Sequence, residues 1–122
     1  MSLHYLDFEY SEDTEGVGTF EAMASVAAGQ VAAVQAEVAQ VLSWAFHDFG
    51  PSRGPLDDGF EWDYDLQAQI EYSTQESWQF DAAMGLVLTS RQQPGEPRHT
   101  VTLSLSGTEA FCQALRDRFG LG

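Results

Sequence analysis

The sequence predicts an α+β fold: one antiparallel sheet of about five strands, in the chain order β-β-α-β-β-β-α, with two helices packed on one face. Three observations carry that prediction. Five segments alternate large apolar residues with polar ones at a period of two. One long segment repeats apolar residues every three or four positions. A short capping signature opens a second helix near the C-terminus.

Over residues 3–11, Leu6, Phe8 and Tyr10 fall on one face and Tyr5, Asp7 and Glu9 on the other, the pattern of a half-buried strand. Acids and glycines over 12–18 mark a turn. Residues 19–26 alternate again through Phe20, Ala22, Ala24 and Val26, so the two segments read as a hairpin. The Glu, Ala and Met of 19–26 also suit a helix, but Gly29 would then lie deep inside it, which favours the strand.

Residues 30–49 form the clearest helix. Val31, Val34, Val38, Val41, Leu42, Ala45 and Phe49 make one apolar stripe, and Gly50-Pro51 ends it because proline cannot continue a helix. Residues 50–59 are a loop rich in glycine and proline. In 60–72, Phe60, Trp62, Tyr64, Leu66, Ala68, Ile70 and Tyr72 share one face. Glu61, Asp63, Asp65, Gln67, Gln69 and Glu71 share the other. So long a strand predicts a bulge or break near Gln67.

Residues 77–90 read as one returning strand. Trp78, Phe80, Ala82, Met84, Leu86 and Leu88 face inward, with a weak point over 82–85. The last strand, 99–105, turns Val101, Leu103 and Leu105 inward. Ser106-Gly107-Thr108-Glu109 reads as a capping box with Ser106 at the N-cap. The helix it opens runs to about Phe119, with Phe111, Leu115 and Phe119 on one side beside Cys112, and Gly120 stops it. The length fits a single domain over 1–122. Strand order does not follow from these patterns.

Charge bounds the partners. The net charge is −14, and all but three of the nineteen acids lie in residues 1–90, which hold only one of the five arginines, Arg53. Such a chain repels nucleic acid and anionic membranes and attracts basic proteins or divalent cations. The use of arginine without lysine points to a GC-rich genome more than to chemistry, and the small acidic α+β chain reads as bacterial. Cys112 is the single cysteine, which excludes an internal disulfide. With no basic, apolar leader and no run of about 18 apolar residues, the expected compartment is the cytoplasm.

The acids that alternate with apolar residues define the candidate partner-binding face: Asp7, Glu9, Glu21, Glu61, Asp63, Asp65 and Glu71. Asp63 and Asp65 stand about 7 Å apart along their strand, and a neighbouring strand is expected to bring Asp7 or Glu9 within reach of them. The leading expectation is a non-enzymatic interaction module that engages a basic protein through this face, in the manner of a chaperone, inhibitor or immunity protein. The alternative is a divalent-metal protein or enzyme using the same carboxylates, with His47 or His99. No metal-spaced histidines, nucleophile elbow, phosphate loop or cofactor motif is present. A second alternative is a homodimer with no ligand, joined through an exposed edge strand or a Trp44/Phe46 patch that lies off the main helix stripe.

Overall fold

Residues Arg98–Gly107, the last strand in the chain, lie at the centre of the main sheet. The computed structural model describes residues 3–92 and 95–121. In chain order its elements are β1 (Phe8–Glu12), β2 (Gly18–Ala27), α1 (Val31–Phe49), β3 (Trp62–Glu71), β4 (Glu76–Asp81), β5 (Gly85–Arg91), β6 (Arg98–Gly107) and α2 (Glu109–Phe119). This is the α+β arrangement that the alternation predicts. The main sheet has four antiparallel strands in the order β1-β2-β6-β3, and β4 pairs only with β5. The segment 19–26 is strand, not helix.

The structure differs from the sequence expectation over residues 77–90. Residues 77–90 are two strands joined by a tight turn, not one strand. The Asp81 carboxylate accepts the N–H groups of Ala83 and Met84 at 2.8 and 3.1 Å, and Gly85 takes a φ of 85° that side chains rarely adopt. The weak point expected over 82–85 is therefore the reversal itself. Conversely, β3 runs in regular register from Trp62 to Glu71 without a break at Gln67. The irregularity falls later, between Ser77 and Trp78.

Both helices cover one face of the main sheet. Phe20, Ala22, Ala24 and Val26 of β2 and Val101, Leu103 and Leu105 of β6 meet Val34, Val38, Val41 and Ala45 of α1 and Phe111, Leu115 and Phe119 of α2. Trp62 anchors one end of this core. It is fully buried, stacks on Phe111 at 5.3 Å, and donates its indole N–H to the Phe49 carbonyl at 2.7 Å. Phe111 lies so close over Gly107 that any Cβ there would overlap the ring, so the strand must end in glycine.

The α2 N-cap is Thr108, whose hydroxyl accepts the Phe111 N–H; Ser106, expected in that role, is still inside β6 and pairs with Thr19 instead. Gly120 stops the helix in the left-handed conformation, as its position predicts. The N-terminal segment is pinned from α1: the Glu37 carboxylate accepts the backbone N–H groups of His4, Tyr5 and Leu6 at 2.9–3.2 Å. Among the described residues no helix is long and apolar enough to cross a membrane.

Candidate functional site: an open sheet face and a projecting arm

Period-two alternation puts the helix-facing residues on one side of the sheet and leaves the other side bare. Pairing register defines what that bare face carries. Glu9 of β1 stands opposite Glu21 of β2, Glu21 opposite Ser104 of β6, and Ser104 opposite Asp65 of β3. One step along, Thr19, Ser106 and Asp63 form a parallel row, with the Thr19 and Ser106 hydroxyls 3.0 Å apart. The face is thus two acidic margins flanking a hydroxyl stripe of Thr100, Thr102, Ser104 and Ser106 on the central strand.

This corrects the expectation of one carboxylate cluster. Glu9 and Asp65 lie on opposite edge strands, separated by β2 and β6. Three strand spacings of about 4.8 Å put them about 14 Å apart. The structure brings Glu9 together with Glu21, and Asp63 with Asp65, but not the two pairs with each other.

Local partners refine the margins further. Asp63 accepts from Arg53 Nε at 2.9 Å. Asp65 accepts from the Gln67 amide at 2.9 Å, and Glu71 from the Gln69 amide at 3.0 Å. Glu71 also stands opposite Arg98, whose guanidinium is tied to the Ser25 hydroxyl and carbonyl. Asp7 and Glu61 are exposed just ahead of β1 and β3. Among the described residues no group of three or more His, Cys, Asp or Glu side chains is placed to hold a metal ion.

The histidines stand apart. His47 is exposed at the end of α1 beside Asp48, at 2.8 Å, whereas His99 is half-buried at the start of β6. Cys112 is buried against the Gly107 carbonyl. Burial pushes its thiol above the ordinary 9.0, and Arg116 nearby pulls partly the other way.

The chain matches no family model, no curated protein and no solved structure.

Trp44 and Phe46 do not form one patch. Trp44 is half-buried and packs on Phe49, Phe111 and Phe119 toward α2. Phe46 packs on Trp62 and Tyr64 toward β3. Two positions apart on a helix is about 200° of rotation, so they point to different flanks.

Sequence reasoning missed two features. The first is the β4–β5 hairpin. Register sets Trp78 opposite Leu88 and Phe80 opposite Leu86, giving one apolar ribbon face. Among the described residues nothing covers it: Trp78 is 63% exposed, Phe80 75%, Leu86 65% and Leu88 51%, with Met84 at the tip 77%. The second is an apolar groove of about 510 Å³ between the first half of α1 and the far half of β3. Val31, Val38, Leu66, Ala68, Ile70 and Val101 line much of it. The Asp81-to-Gly85 turn was the sequence signal for the hairpin, since Asp and Gly bracket a reversal between two apolar runs.

Proposed function

We propose that this chain is a non-enzymatic interaction module whose open sheet face engages a basic protein, as a chaperone, inhibitor or immunity-type protein does. One observation supports the reading: among the described residues the face of the main sheet away from the helices is open and mostly polar, with acids along both margins and hydroxyls between them. Hydroxyls supply hydrogen bonds in either sense, and the margins supply a negative potential that speeds encounter with a positive surface. Such a face contacts a partner by area rather than by enclosing a substrate.

Glu21 and Asp65 are the side chains to change, because they flank the same serine, whereas Asp63 is already engaged by Arg53. The test is capture from a lysate of the source organism by the wild type and by a Glu21→Lys/Asp65→Lys variant, at low and high salt. A basic protein held by the wild type, released at high salt, where the screening length falls below about 8 Å, and lost in the variant supports the reading. Equal capture by both proteins, or capture indifferent to salt, contradicts it.

A further inference from the structure

We propose that two copies of this chain associate by reciprocal exchange of the β4–β5 arm, each arm laying its Trp78/Phe80/Leu86/Leu88 face into the apolar groove of the other copy. This stands independently of the basic-partner reading, because none of the acids of the open face lines the groove or lies on the arm, although Thr100 borders both face and groove.

Four observations converge on a second copy as the occupant. First, the arm has an apolar face with nothing behind it. An isolated two-stranded hairpin is marginal in water, and an exposed patch of this size marks an interface. Second, the same chain carries a matching receptor. The groove's lining is mainly aliphatic, and Leu66 and Ile70 within it are 43% and 48% exposed.

Third, the arm does not fold back onto its own groove while its base stays paired. The β3–β6 ladder reaches Glu71 and Arg98. Beyond it the Gly95 N–H bonds the Ser73 carbonyl at 3.1 Å, and the Gln92 N–H bonds the Gln75 carbonyl at 2.9 Å. The Glu76 carboxylate then accepts Arg91 Nε at 2.8 Å. These contacts make the arm a paired continuation of the sheet, aimed away from the body.

Fourth, two chains of net charge −14 repel, so they can meet only where carboxylates are absent or paired. No Asp or Glu lines the groove, and the one carboxylate beside the arm's apolar face among the described residues, Glu76, is paired with Arg91 at 2.8 Å and accepts the Trp78 indole N–H at 3.1 Å.

The areas are adequate. Five large side chains more than half exposed offer on the order of 500 Å² of apolar surface per arm. Two arms contribute at most on the order of 1,000 Å² and the two grooves a smaller area, which together reach the lower end of specific interfaces. The two-fold relation makes the contact self-complementary and closed, so it ends at a dimer rather than a filament.

Sedimentation velocity on the full chain, over a wide concentration range, tests the proposal with two substitutions. Phe80→Arg blunts the arm and Leu66→Arg blocks the groove. Both lower the net negative charge, so a lost dimer cannot be ascribed to added repulsion. Far-UV circular dichroism checks that each variant folds, and both positions are well exposed. The wild type is expected to be a dimer, with either variant raising the dissociation constant about 1,000-fold, because each substitution strikes two equivalent contacts at about 30-fold apiece. Mixing the two variants restores a heterodimer through the one intact arm–groove contact. A monomeric wild type at high concentration overturns the proposal and leaves the groove to a small apolar ligand. A dimer broken by Phe80→Arg but not by Leu66→Arg overturns it in favour of arm-on-arm packing.

Discussion

The body and the arm use the same code with opposite results. In β6, Val101, Leu103 and Leu105 alternate with threonine and serine and are buried under two helices. In β4 and β5, Trp78, Phe80, Leu86 and Leu88 share one face just as clearly and stand in solvent. Alternation specifies which side chains share a face. It does not specify whether anything covers that face. Coverage comes from position: β6 is flanked by β2 and β3 and roofed by α1 and α2, whereas no helix reaches the arm.

If this contrast is right, substitutions in the body should cost stability and those in the arm should not. The largest effect is expected for Trp62→Ala, which removes a fully buried ring stacked on Phe111 and its hydrogen bond to Phe49. A loss of about 3–5 kcal/mol by urea denaturation is expected. Gly107→Ala drives a methyl group into the Phe111 ring, and about 1–3 kcal/mol should be lost by the same measurement. Glu37→Ala removes the carboxylate that gathers three backbone amides. The expected loss is about 1 kcal/mol, with faster hydrogen exchange confined to the His4–Leu6 amides.

Cys112 gives a smaller, pH-dependent effect. Its thiol is raised above 9.0 by burial, so the folded chain holds that proton more tightly than the unfolded chain does. The thiol's contribution is constant below pH 9.0 and is lost as pH rises from there through the folded value, at up to about 1.4 kcal/mol per pH unit. Urea midpoints of wild type and Cys112→Ala, compared on either side of pH 9.0, should differ in slope only on the alkaline side. Equal slopes would place the thiol in contact with water. The smallest effect is expected for Phe80→Ser. In a dilute sample it should change stability by no more than about 0.5 kcal/mol, since the ring is three-quarters exposed.

Much of the body was legible in the sequence because its local signals agree with its tertiary environment. The stripe from Val31 to Phe49, the Gly120 stop and the alternation of β2 and β6 all became the elements they predict. Three features were not. Strand order depends on which edges meet in space, and the placing of β6 between β2 and β3 is what separates Glu9 from Asp65. The Ser106 capping box was plausible locally, but Ser106 is held in the ladder by its pairing with Thr19 and Asp63, which moves the cap to Thr108. The arm was read as a core strand because its apolar residues look like core residues until the Asp81–Gly85 reversal is taken as a turn.

Hydrogen exchange read by mass spectrometry, on wild type and on Leu66→Arg at the same high concentration, tests the division between body and arm most directly. Leu66 lies ten residues before the arm begins, about 33 Å along an extended strand, so it does not touch its own arm. The expected result is slow exchange of residues 76–91 in the wild type, fast exchange of the same residues in Leu66→Arg, and unchanged slow exchange in β2 and β6 of both. Identical exchange of residues 76–91 in the two proteins would contradict the exchange of arms, and exchange of those residues in Leu66→Arg as slow as that of β2 and β6 would contradict the division itself.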